Sequence, residues 1–146
     1  IQPSLAKRRD GTIIAFCRDS GPPPGRVMAS LSRDNGETWS AARDTDIPNP
    51  GSSLEVIVLR DGRWLIVHND STQSRDSLTV AISEDEGKTW PLKRRLEPQS
   101  DGATSFSYPS VIQSADGAVH ITYTCKGPRG GRIRHGILQP GQLKTD

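Results

Sequence analysis

Three stretches of this chain align on an Asp-Gly pair, and that alignment restricts the fold more than any other feature. "PSLAKRRDGTIIAFCRD", "SSLEVIVLRDGRWLIVHND" and "YPSVIQSADGAVHITYTC" carry the pair at 10–11, 61–62 and 116–117, spacings of 51 and 55 residues. Asp-Gly between two short runs of β-branched and aromatic residues is a hairpin signal. A third run follows each hairpin: "RVMASLS", "SLTVAIS" and "RIRHGIL". In the first two units the phrase Ser-x-Asp-x-Gly-x-Thr-Trp comes next, at 32–39 and 83–90, and leads into a fourth, ragged strand. No segment has the period of an amphipathic helix.

Four antiparallel strands in about 50 residues are one blade of a β-propeller. A β-sandwich also has short strands and frequent turns, but it does not repeat in sequence this way. The expected fold is therefore all-β, with about three four-stranded blades near residues 1–50, 51–100 and 101–146. Propellers usually have about 4–8 blades. Three leave two apolar flanks uncovered, so the expected partners are further blades or a second copy of the chain.

Within each phrase, Asp34 and Asp85 are placed to accept backbone N–H bonds from residues a few positions on. Gly36 and Gly87 supply positive φ, and Trp39 and Trp90 supply apolar surface to bury. A calcium loop is the competing reading. The phrase has too few acidic ligands for one and lacks the closing glutamate.

Composition removes several function classes. The net charge of +2 gives no reason to expect nucleic acid. The basic runs at Lys93, Arg94 and Arg95 and at Arg129, Arg132 and Arg134 read as solvated faces. No apolar run approaches the ~18 residues of a membrane span. The segment starts at Ile1 and shows no signal peptide, so the compartment stays open, with secreted or periplasmic locations allowed. Cys17 and Cys125 lack metal-ligand spacing and read as free thiols.

The repeated phrase resembles the Asp-box, the bacterial neuraminidase repeat. Two copies at blade spacing resemble the six-bladed sialidase-type propeller, over essentially the whole chain and most like its second half. The resemblance implies a glycoside hydrolase that releases terminal sialic acid or a related acidic sugar from a sialoglycoconjugate. It implies no cofactor and no metal in the catalytic step, and Asp-boxes remote from the active site. It also implies three arginines on the substrate carboxylate, a tyrosine nucleophile activated by a glutamate, and an aspartate acid/base. The chemistry suits those groups. Guanidinium groups grip carboxylates bidentately, and a phenol with pKa near 10 needs a neighbouring base.

The Asp-Gly register locates the channel mouth. Eight residues before each aspartate lie Gln2, Ser53 and Tyr108, and eight after lie Arg18, Asn69 and Thr124. Chain reversal brings each pair to one end of its blade. Under the resemblance, Tyr108 matches the catalytic tyrosine, and Arg18 and Arg75 match two of the substrate-binding arginines. Gln2 stands where the family has the activating glutamate, and an amide cannot accept the phenol proton. Glu55, about 7 Å further along its strand than Ser53, is a possible substitute. Asn69, Asp70 and Asp19 also fall near the expected mouth. His68, His120 and His135 alternate with apolar residues and read as packed side chains. No residue matches the family's first arginine or its acid/base aspartate. A non-catalytic carbohydrate-binding propeller and a protein-binding scaffold remain the alternatives.

Overall fold

The computed structural model describes residues 2–97, 100 and 102–142. The first sheet is a meander of β1 (Ser4–Lys7), β2 (Ile13–Arg18), β3 (Arg26–Ser32) and β4 (Arg43–Pro48). The second repeats it with β5 (Glu55–Val58), β6 (Trp64–His68), β7 (Leu78–Ser83) and β8 (Leu92–Glu97). The third has three strands, β9 (Ser105–Gln113), β10 (Val119–Gly127) and β11 (Gly130–Leu138), before a 3-10 turn at Pro140–Gln142.

The Asp-Gly hairpins form as their sequence requires. Asp10, Asp61 and Asp116 each accept the N–H of the residue two positions on, at 2.8, 3.0 and 3.2 Å. These are Asx-turns, and they pin the registers Ser4↔Phe16, Val58↔Trp64 and Gln113↔Val119.

Side chains of period two put one face of each sheet against its neighbour. Between the first and second sheets, Phe16 meets Trp64 and Trp90 edge-to-face, both at 6.3 Å between ring centroids. Ile14, Val27, Val56 and Ile66 fill the same layer. Between the second and third, Leu65, Val67, Val80 and Ile82 pack on Val111, Val119 and Ile121. Every residue of β6 and β7 is buried, because that sheet is covered on both faces. Each fully buried Leu, Ile or Val contributes about 1.5–3 kcal/mol. The flanking sheets each keep an open side. Leu5 and Trp39 lie exposed on the first, and Ile112, Ile133 and Ile137 lie exposed on the third.

The innermost strands β1, β5 and β9 are edge strands, and side chains of the preceding blade satisfy part of the backbone of β5 and β9. Ser4 Oγ accepts the Val56 N–H at 2.8 Å and donates to the Val56 carbonyl. Ser53 Oγ accepts the Tyr108 N–H at 2.9 Å. The Glu55 carboxylate accepts the Val111 N–H. Both cysteines are free thiols, Cys125 buried and Cys17 half-buried. Among the described residues no helix is long and apolar enough to cross a membrane.

Candidate active site

Arg18 ends β2, and Arg75 lies on the loop before β7. The two line one concavity of about 330 Å³, together with Ser20, Gly21, Pro50, Gly51, Thr72 and Gln73. Among the described residues no carboxylate lines it. Asp19, next in sequence, turns back to accept the Gly21 N–H at 2.8 Å. Arg75 Nη2 donates to the Gly51 carbonyl at 2.9 Å. Arg18 Nε is buried and has no acceptor. An orphaned buried donor costs about 1–3 kcal/mol, more on a charged group. An anion in this concavity would meet two guanidinium groups at once.

The walls are held by backbone and amide bonds. The Asn49 side chain donates to the Ser52 carbonyl and accepts the Ser52 N–H, both at 2.9 Å. Asn49 N–H donates to the Gly25 carbonyl, and Gly25 N–H to Thr72. A Cβ on Gly25 would stand 2.1 Å from the Asn49 oxygen, so only glycine allows this approach. The loop carrying Arg75 is tied to β9, because Phe106 N–H donates to the Arg75 carbonyl at 2.7 Å.

Tyr108 sits on β9 with its side chain exposed. Its φ is +52°, a left-handed conformation that costs a bulky residue about 1–2 kcal/mol. The cause is a β-bulge. Ser107 pairs with Thr124 and Ser110 with Thr122, so Tyr108 and Pro109 together oppose Tyr123. Tyr108 and Thr124 lie at the same end of the blade, one residue out of register. Gln2 lies just before β1, exposed, at the end of its blade that carries Arg18.

The side chains of Asn69, Asp70 and Glu55 are engaged within the fold. Asn69 is fully buried, and its Nδ2 donates to the carbonyls of Ser77 at 2.6 Å and Phe106 at 3.1 Å. It staples the second blade to the third through Nδ2, and its Oδ1 is buried with no donor. Asp70 pairs with Lys93 of the outermost strand β8 at 2.9 Å, which places Lys93 in an ion pair rather than in a purely solvated run. Glu55 faces β9, where burial raises its pKa against the opposing pull of the Val111 N–H. It holds the same register position as Ser4, six residues before Asp-Gly, and does the same inter-blade work. His68 is buried, and burial lowers its pKa to about 4, so it is neutral at pH 7. His120 and His135 are not in the core. They stack on the open face of the third blade, 5.2 Å between centroids.

One constellation was not legible in the sequence. Tyr123 Oη donates to Glu97 Oε1 at 2.6 Å, and Arg134 Nη1 donates to the same oxygen. A tyrosine, a glutamate and an arginine are the groups a sialidase-type site needs. Here, however, Tyr123 and Glu97 are buried. Burial and the carboxylate push the phenol pKa up, which keeps it protonated as a donor. The cluster is a clasp between the second and third blades. The alternation Ile121, Tyr123, Cys125 announced that Tyr123 faces the core. Nothing in "LKRRLE" marked Glu97 as its partner. Among the described residues no group of three or more His, Cys, Asp or Glu could hold a metal ion.

A family model described as a BNR repeat-like domain matches residues 1–121. The sialidase of Micromonospora viridifaciens is 28 % identical over 124 residues, covering 78 % of this chain and 18 % of that protein. Among solved structures, a leech intramolecular trans-sialidase superposes with a TM-score of 0.78 at 18 % identity, over 97 % of this chain and 24 % of its own. The Penicillium chrysogenum α-L-arabinanase bound to arabinobiose superposes at 0.67 and 16 % identity, over 95 % and 46 %. The chain spans less than half the length of each. At these identities the structural likenesses show the fold, a propeller built of antiparallel blades like those of sialidases.

Proposed function

Because the chain belongs to the BNR repeat-like domain family, we propose that it supplies part of the catalytic propeller of a sialidase-type glycoside hydrolase. Its substrate on this reading is a glycoside of sialic acid or a related acidic sugar. One observation carries the proposal. Two guanidinium groups line a single concavity, and among the described residues no carboxylate lines it.

In this reading Arg18 and Arg75 hold the sugar carboxylate. Tyr108 Oη attacks the anomeric carbon, its bond forming as the glycosidic C–O bond breaks, and water then releases the sugar. A neutral phenol avoids the repulsion that a carboxylate nucleophile would meet beside the substrate's own carboxylate. The phenol proton needs an acceptor, and Gln2 cannot be one. Glu55 has the right chemistry, and its burial favours taking a proton, but it is engaged with Val111. The group that protonates the leaving oxygen matches no residue of this chain.

The amide at Gln2 favours a second reading, a propeller that binds acidic glycans without cleaving them. The test is hydrolysis of a fluorogenic sialoside by the whole polypeptide that carries residues 1–146. The Tyr108→Phe and Arg18→Ala variants and a neutral arabinoside are run alongside. Turnover of the sialoside that falls by about a thousandfold or more in Tyr108→Phe supports the nucleophile. Binding of sialyl-lactose without turnover, equal in wild type and Tyr108→Phe, supports the second reading. Turnover of the arabinoside alone defeats both.

A further inference from the structure

We infer that Ser53 is a positioning residue, whose buried hydroxyl sets the direction in which Tyr108 presents its phenol. The inference rests on the reading of Tyr108 as the nucleophile and assigns a role to a residue of the preceding blade. Four observations lead to it.

First, the bulge removes Tyr108 from the β-ladder. Tyr108 and Pro109 share one partner on β10, and proline has no N–H, so the Tyr108 N–H is the only donor of the pair. Second, that donor goes to Ser53 Oγ of the preceding blade at 2.9 Å. Third, Ser53 is only 6 % exposed, so water is poorly placed to replace its hydroxyl. Fourth, a tyrosine at φ +52° does not hold itself there, and an outlier of this kind persists only where its surroundings impose it. Without the tether the cheaper backbone conformations reopen, and the Cα–Cβ direction of Tyr108 changes with φ.

The tether also ties the phenol to the anion pocket. Ser53 lies two residues beyond Gly51, whose carbonyl holds Arg75. Asn49 fixes the intervening turn through its two bonds to Ser52. The carboxylate grip and the attacking oxygen therefore share one rigid segment, residues 49–53. Displacement of a reacting group by about 1 Å can cost a hundredfold in rate.

The first and second blades contain a matched control. Ser4 makes the equivalent bond to Val56, which lies in a regular strand with no bulge and no nucleophile. Ser4→Ala and Ser53→Ala thus remove one inter-blade hydroxyl each, but only the second frees Tyr108. In the whole polypeptide we would measure amide hydrogen exchange at Tyr108, and kcat and KM on the fluorogenic sialoside. Ser53→Ala is expected to speed Tyr108 exchange about tenfold or more. It should lower kcat about 10- to 100-fold with KM moved less than about threefold. Ser53→Thr restores most of both, and Ser4→Ala leaves kcat within about twofold. If Ser53→Ala does not fold, Ser53→Cys, with a weaker acceptor of similar size, is read the same way. Unchanged Tyr108 exchange in Ser53→Ala, or equal losses of kcat in the two alanine variants, would overturn the inference. A wild type without turnover whose Tyr108 amide is freed by Ser53→Ala upholds the tether and sinks the sialidase reading alone.

Discussion

The two Asp-boxes share four internal bonds and have different surroundings. In the first, Asp34 accepts the Thr38 N–H at 2.9 Å and the Thr38 hydroxyl, and Ser32 Oγ accepts the Gly36 N–H at 2.8 Å. In the second, Asp85 accepts the Thr89 N–H at 2.8 Å and its hydroxyl at 2.6 Å, and Ser83 accepts the Gly87 N–H at 2.8 Å. The residue before each glycine takes positive φ, Asn35 at +65° and Glu86 at +61°. Yet Trp39 is 41 % exposed, while Trp90 packs edge-to-face on Phe16 of the neighbouring blade. The indole N–H shows what packing overrides. Trp39 Nε1 donates to the Gly36 carbonyl at 3.0 Å, whereas Trp90 Nε1 is buried and has no acceptor. A net hydrogen bond is worth about 1 kcal/mol, less than the burial of a large aromatic ring. The phrase itself specifies the turn, and the neighbouring blade decides what its tryptophan does.

That comparison breaks most sharply at the glycines. A Cβ on Gly87 would lie 2.8 Å from the Trp64 ring, while one on Gly36 meets only Trp39 at 3.9 Å. Both positions have positive φ, so both alanine variants carry strain, but only Gly87→Ala also overpacks the core. Urea denaturation should show a loss of about 3 kcal/mol for Gly87→Ala and about 1 kcal/mol for Gly36→Ala. Equal losses would mean that the inter-blade packing near Gly87 yields freely. Next in size, Trp90→Ala should cost about 2–3 kcal/mol and Trp39→Ala less than about 1. A large loss at Trp39 would show that another surface covers it in solution.

The acid response should instead be shared by the two boxes. The Thr38 hydroxyl and N–H, with Ser32, hold Asp34 down to about 2. At Asp85 partial burial pushes the other way, but the bonds from Thr89 and Ser83 prevail and its pKa is also lowered. A carboxylate depressed on folding stabilises the fold above its ordinary value of 3.8, and that contribution is lost as pH falls through the folded pKa. Melting temperature should therefore drop between about pH 4 and pH 2. Asp34→Asn and Asp85→Asn should each flatten that drop, and a flattening confined to Asp85→Asn would tie the effect to the interface instead of the turn. The smallest effect belongs to the Arg9–Glu86 pair at 2.8 Å. Its arginine is exposed, so Arg9→Ala should cost less than about 0.5 kcal/mol, and less still in high salt.

The fold was legible because period and turn chemistry are local. Asp-Gly, the β-branched runs and the 51-residue repeat each report on neighbours in sequence. The site was legible only as an end of the blades. An eight-residue offset shows that Asn69 and Arg18 lie at one end, but not which way their side chains turn, and Asn69 turns inward. The bulge at Tyr108 was hidden because it depends on β10 opposing two residues with one. Glu97 was hidden because a carboxylate after three basic residues reads as solvated until the third blade brings Tyr123 against it.

The meander order of strands has a consequence in time. Every backbone ladder joins strands consecutive in sequence, so each sheet closes within its own segment. The bonds between inner strands span more than 50 residues, 52 for Ser4–Val56 and 55 for Ser53–Tyr108. Synthesis at about 5–20 residues per second delivers both arginines of the pocket a few seconds before Tyr108. The hypothesis that follows is vectorial assembly, with the gripping half of the site standing while the attacking half is still being made. Limited proteolysis of ribosome-bound chains stalled beyond β8 would test it. Protected first and second blades are expected, and wholly susceptible ones would defer assembly until the third blade arrives.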